Sequence, residues 1–164
     1  MKALLASLFF VFVTQAVADE RIGQVCYDQL GSRTQFCTQD NVGSKVQVLI
    51  YNAGWCSPCN DEMDELGDIY PEFQNSAVVF ASLSGEGYSH GAKPDQAFLQ
   101  SWKTKHNIKF TVAGKYKDFG GIFGNPGSIP FAVIVDKAGT ISSSGYMSAS
   151  QIASKVRALL AQDE

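Results

Sequence analysis

Residues 46–66, VQVLIYNAGWCSPCNDEMDEL, restrict what this 164-residue chain can fold into more than any other stretch. Val46, Val48, Leu49, Ile50 and Tyr51 form an apolar run, largely β-branched and aromatic, the composition of a buried strand. Asn52, Ala53 and Gly54 break the run, and Trp55-Cys56-Ser57-Pro58-Cys59 follows. Beyond the second cysteine, Met63, Leu66, Ile69, Tyr70 and Phe73 recur at helical spacing, which predicts a helix to about Gln74. The order is strand, tight loop, paired cysteines, helix. Cys56 then falls at or just before the first helical turn, where unpaired N–H groups and the helix dipole favour negative charge. A thiolate placed there has a lowered pKa and is the reactive form of cysteine. Cys59, within one turn of it, is close enough to close a small disulfide.

The chain length is that of one domain with a proper core. A formal net charge of −3 gives no electrostatic case for nucleic acid or an anionic membrane surface. The first 18 residues read as a leader rather than as fold. Lys2 is a short positive region, residues 3–13 are apolar apart from Ser7, and Ala16-Val17-Ala18 has the small-x-small form of a signal-peptidase site. The apolar run is too short to span a bilayer. Cleavage after Ala18 is expected, giving a mature single domain over residues 19–164 in the periplasm or outside the cell. Export puts the four cysteines in an oxidising compartment, where disulfides persist. Four cysteines allow three pairings, of which Cys56–Cys59 with Cys26–Cys37 is the simplest.

Trp55-Cys56-Ser57-Pro58-Cys59 after an apolar strand resembles the active site of the thioredoxin superfamily. With Asn60-Asp61-Glu62 it reads Cys-x-x-Cys-x-x-Glu, similar to the TlpA-like branch of secreted thiol–disulfide oxidoreductases. Asp64 stands where that branch often has a proline. The superfamily's second fingerprint is a cis-proline opening a strand, and residues 128–136, SIPFAVIVD, resemble it with Pro130 in that place. The resemblance runs from about residue 46 to 160. It implies a thioredoxin-like α/β three-layer sandwich with a mixed central sheet. It also implies that the Ile129-Pro130 loop lies against the cysteines and pairs its backbone with substrate. Cytoplasmic thioredoxins bury an acid in the strand before the cysteines; the corresponding residue here is Ile50, so that proton acceptor is absent. The resemblance further implies a reductant, recharged by a membrane thiol–disulfide carrier and acting on secreted proteins, with no cofactor, as a monomer.

Residues 19–44 read as a hairpin preceding the core at 45–164. If Gly31-Ser32 is a two-residue turn, Tyr27 faces Phe36 and Cys26 faces Cys37. In that register the cysteines form a hydrogen-bonded pair with Cα atoms roughly 5.5 Å apart. The reading is a structural disulfide, with a second redox centre as the alternative. Further on, residues 77–83 predict a buried strand, and residues 84–93 a loop holding a solvent-exposed His90. Pro94 opens a helix bearing Phe98, Leu99 and Trp102, with His106 near its end. Residues 109–112 form a short strand, and residues 115–123 are aromatic and glycine-bearing. Gly120 to Gly124 lacks the companions of a phosphate loop and reads as a turn. Strands at 131–135 and 140–146 precede a last helix capped by Ser148.

Disulfide exchange needs an exposed nucleophilic thiolate, a thiol to resolve the mixed disulfide, and an edge that binds extended peptide. Cys56 is the nucleophile by its place at the helix start, and Cys59 resolves. Glu62, one turn beyond Cys59, is placed to hold or relay the proton of its thiol. Trp55, Pro58, Ile129 and Pro130 are the substrate-binding candidates. Acids at Asp61, Glu62, Asp64 and Glu65 oppose a very low Cys56 pKa and so favour a reducing potential. Other readings remain: a disulfide oxidase or isomerase, or a thioredoxin-fold binding module without activity. A zinc site would need ligands the hairpin already uses. A peroxidase would have a Pro/Thr context before its cysteine that Trp55 does not supply.

Overall fold

The computed structural model describes residues 20–125 and 127–162. The leader expected over residues 1–18 lies outside them. Seven strands form one sheet: β1 (Cys26–Gln29), β2 (Gln35–Cys37), β3 (Val46–Ala53), β4 (Val78–Glu86), β5 (Thr111–Gly114), β6 (Phe131–Val135) and β7 (Ile141–Gly145). Their order is β2-β1-β5-β4-β3-β6-β7. β3, β4 and β5 run parallel; β6 lies antiparallel to β3, β7 to β6, and β1 to β5. Among the described residues three α-helices complete the fold: α1 (Ser57–Ile69), α2 (Gln96–Lys105) and α3 (Ala149–Leu160). The result is the expected α/β class with a mixed sheet. Among the described residues no helix is long and apolar enough to cross a membrane.

β3 is central, and all eight of its residues are buried. That explains a continuous apolar run where a half-exposed strand would alternate. Its even-numbered residues Val46, Val48 and Ile50 pack with Met63 and Leu66 of α1, Trp102 of α2 and Val156 of α3. Its odd-numbered Leu49 and Tyr51 face a second cluster with Tyr27, Phe36, Leu83, Phe123 and Val133. The three helices therefore share one face. The opposite face is covered by the N-terminal segment through Ile22 and Val25, and by the short 3-10 turn Gly121–Phe123.

The hairpin joins this sheet as two of its strands. Its register pairs Cys26 with Cys37, Tyr27 with Phe36 and Asp28 with Gln35. The turn departs from expectation. Pairing stops at Asp28–Gln35, and Ser32 N–H donates to the Gln29 carbonyl, so Leu30 and Gly31 form the turn's centre. Gly31 takes φ +70°, which glycine adopts without a Cβ penalty. Gln29 instead pairs with Ala113, and Leu30 N–H donates to Val112 O. The two-residue turn fails because β5 takes up the backbone of the outer half of β1. The hydrogen-bonding phase reverses with it. Thr38 N–H donates to Val25 O, so Cys26 and Cys37 occupy a non-hydrogen-bonded site with Cα atoms 4.1 Å apart, rather than the wider pair expected.

Other boundaries shift by a few residues. α1 ends at Ile69, and Pro71 sits in a 3-10 turn, Tyr70–Glu72. β4 continues through Glu86, taking in residues that read as loop. The short strand lies at Thr111–Gly114 rather than 109–112. Asp95, not Pro94, caps α2, its carboxylate accepting from Phe98 N–H. Ser148 caps α3 in a capping box completed by Gln151.

Candidate active site

Because β3, β4 and β5 are parallel, their C-terminal ends form one rim, where α/β folds place binding surfaces. β6 starts and β7 ends at this same rim. Cys56 is the N-cap of α1, with Pro58 in the first helical turn. Its sulfur accepts a hydrogen bond from Cys59 N–H at 3.2 Å, so it sits on the free N–H groups of the helix start. The two cysteines are joined in a disulfide with Cα atoms 5.3 Å apart. Cys56 is 4% exposed and Cys59 fully buried, so the outer sulfur belongs to Cys56. The Ile129–Pro130 peptide bond is cis, and Ile129 O lies 3.7 Å from Cys56 Sγ. Around the cysteines pack Ala53, Trp55, Phe119 and Ile129.

The loop before Cys56 is held by a close backbone approach. A Cβ on Gly54 would stand 2.6 Å from the Phe98 ring and 2.9 Å from the Gly87 backbone, so only glycine lets β3 leave the sheet here. Trp55 Nε1–H donates to Glu86 Oε2 at 2.8 Å, and its ring lies 3.9 Å, centroid to centroid, from that of His90. Glu86 is buried beside Ala53, its register partner across β3 and β4.

Glu62 faces inward from α1 and is 7% exposed. Its Oε2 has no hydrogen-bond partner. Burial, reinforced by the neighbouring Glu65 charge, pushes its pKa up to about 8. It lines a cavity of about 270 Å³ with Pro58, Asp61, Glu65, Tyr146, Met147 and Ser148. Ile50 is fully buried in the helix-side cluster with Met63. Asp64, in the place of the branch's proline, meets Nδ1 of the buried His106 at 2.7 Å.

The structure thus brings Trp55, Cys56, Pro58, Cys59, Ile129 and Pro130 to one place, with Glu62 on the same helix. Cys26 and Cys37 form their own disulfide at the far edge of the sheet. Sequence reasoning missed Phe119, Glu86 and His90 as neighbours of the site. The aromatic, glycine-bearing stretch at residues 115–123 was the one local signal for Phe119.

Known proteins with the same features give this geometry a family. The AhpC/TSA family model matches residues 28–144. The thiol-disulfide oxidoreductase ResA of Bacillus thuringiensis is 25% identical over 124 residues, covering 69% of this chain and 67% of that protein. A secreted Mycobacterium tuberculosis disulfide oxidoreductase homologous to DsbE superposes with TM-score 0.64 at 24% identity, over 83% of this chain and 96% of that one. A secreted thiol-disulfide isomerase from Corynebacterium glutamicum superposes with TM-score 0.71 at 19% identity, over 87% and 85%. The family model covers most of the chain, from within β1 to within β7, and includes the Cys56–Cys59 pair, so the chain belongs to the AhpC/TSA family and is a thiol–disulfide oxidoreductase of thioredoxin-like fold.

Proposed function

We propose that this oxidoreductase works outside the cytoplasm as a reductant of protein disulfides, with Cys56 attacking and Cys59 resolving. The observation that carries the reading is the place of the Cys56 sulfur. It caps α1 while lying 3.7 Å from the backbone that precedes the cis-proline. A polypeptide paired along Ile129 would present its disulfide to that sulfur. The Cys56 thiolate attacks one substrate sulfur, forming a mixed disulfide and releasing the other as thiolate. Cys59 gives its proton to the ionised form of Glu62 and attacks Cys56 Sγ, closing Cys56–Cys59 and releasing the second substrate sulfur as thiolate. Both substrate thiolates take up protons, and two electrons have moved to the substrate. A membrane thiol–disulfide carrier returns them. Trp55, Pro58, Ile129 and Pro130 form the contact surface for the polypeptide.

The reducing direction rests on charge. Asp61 and Glu65 line the cavity beside Pro58 at the helix start, and no histidine stands between the cysteines. Acids disfavour the Cys56 thiolate, and a site that does not stabilise its thiolate holds its disulfide more firmly. Equilibrating the couple against glutathione or dithiothreitol is expected to give a potential nearer the roughly −270 mV of thioredoxin than the roughly −120 mV of a strong oxidant. A value above about −180 mV would replace the reductant with an oxidase or isomerase.

A further inference from the structure

We infer that Lys93, Tyr116 and Lys117 form an anion-docking site that takes an Asp or Glu side chain of the substrate polypeptide close to its reacting cysteine. The inference rests on the thiol–disulfide reading and adds the substrate class. Tyr116 follows β5 at the rim that carries Cys56, and its hydroxyl donates to Gly91 O at 3.0 Å. That bond fixes the ring against the loop between β4 and α2. Lys93 Nζ lies 5.8 Å and Lys117 Nζ 5.3 Å from the ring centroid. Both lysines are exposed, and among the described residues neither has a carboxylate in ion-pair reach. Their neighbour Lys115, by contrast, pairs with Asp118 at 3.3 Å. Two ammonium groups on one ring repel each other, and the ring's negative face offsets only part of that. The group missing from the arrangement is an anion. Exposed lysines without an ion-pair partner occur elsewhere among the described residues too, such as Lys45 and Lys109; Lys93 and Lys117 differ in sharing one ring.

Lys117 is also held against its local preference. Its φ is +59°, a conformation better suited to glycine or asparagine, and its N–H donates to Gly85 O at 2.9 Å. The site runs into the reacting centre. Lys117 lines a cavity of about 200 Å³ with Phe119, Gly121, Asn125 and Gly127, and Phe119 packs on the cysteine cluster. The exposed large apolar side chains among the described residues are Tyr88, Tyr116, Ile122 and Tyr146, and each belongs to a segment leaving or entering this rim. The surface around the cysteines is therefore apolar, with cations on the β5 side and the acids of α1 on the other. A bare small thiol would use none of it; an extended polypeptide with a carboxylate near its cysteine uses all of it.

The test uses paired peptides, each with one serine in place of the reacting cysteine, flanked either by Glu or by Gln. Binding to the oxidised protein is followed by Trp55 fluorescence at low and at moderate salt. The Glu peptide is expected to bind about threefold to tenfold tighter, the size that two exposed ion pairs supply, and the advantage is expected to shrink with salt. In Lys93→Gln/Lys117→Gln the ratio should fall to one. Lys45→Gln/Lys109→Gln removes the same charge at the opposite end of the sheet, beside the starts of β3 and β5, and should keep the ratio. Equal binding of the two peptides overturns the site. So does a ratio lost equally in both double variants, which makes the effect one of net charge. Reduction of a neutral disulfide peptide, measured alongside, reports separately on the thiol–disulfide reading.

Discussion

Glu62 carries the sharpest expectations at the scale of single residues. Its folded pKa of about 8 lies above its ordinary value of 4.5, so the folded protein holds a proton that the unfolded chain releases. Below about pH 4.5 both states hold that proton and burial costs no ionisation; between about 4.5 and 8 stability falls as pH rises. Glu62→Gln should therefore raise the melting temperature of the oxidised protein at pH 8 while leaving it nearly unchanged at pH 4. An equal shift at both pH values would mean that packing, not ionisation, sets the effect. The same variant should slow the resolving step, seen as accumulated mixed disulfide during turnover. Cys59→Ser should trap that mixed disulfide outright, and Cys56→Ser should abolish reduction of a model disulfide. If Cys56 is alkylated no faster than a free thiol at neutral pH, its role as activated nucleophile is lost. Cysteine and glutamate positions are legible in the sequence because one helical turn connects them. Glu86 is not. It meets Trp55 only because parallel pairing sets Ala53 beside Glu86, and nothing local announces a register between strands separated by a helix. His90 reads as an exposed loop residue, and its side chain is 78% exposed; what the sequence hides is the Trp55 ring beneath it.

Among elements, the hairpin separates what local pattern can and cannot specify. The facing of Cys26 with Cys37 and Tyr27 with Phe36 is legible, since a whole register follows from one correctly placed pair. Its turn and hydrogen-bonding phase are not, because β5, more than eighty residues downstream, claims Gln29 and Leu30. The hairpin also reaches the central strand. Tyr27 and Tyr51 share a buried hydroxyl–hydroxyl hydrogen bond of 2.8 Å, and Tyr51 sits five residues before Cys56. Burial drives both phenol pKa values well above the usual tyrosine value, so neither ionises at working pH. Non-reducing peptide mapping should find Cys26 bonded to Cys37. Replacing both by alanine should cost about 2–3 kcal/mol of stability by denaturant unfolding, the range for a short closed loop. A loss of exchange activity with no loss of stability would instead make this pair a second redox centre. The helix boundaries differ from expectation for the opposite reason. α1 gives way to a 3-10 turn at Tyr70 because Pro71 has no N–H to continue the ladder, a local fact that hydrophobic spacing passes over.

For the molecule as a whole, the three-layer description holds with unequal layers. All three helices cover one face, and extended chain with 3-10 turns covers the other. The sequence shows the helices through their periodicity; the covering of the second face is built from segments with no period to read. One of those segments is the first described stretch. Ile22 N–H donates to Gly139 O, and Ile141 N–H donates to Glu20 O, so this stretch is stitched to the turn between β6 and β7. β1 likewise waits for β5. Contacts of such sequence separation form late, since the loop entropy comes first. Until the β6–β7 turn has formed, residues 20–25 have nothing to dock against, so the second face of the sheet closes only after the last third of the chain is in place.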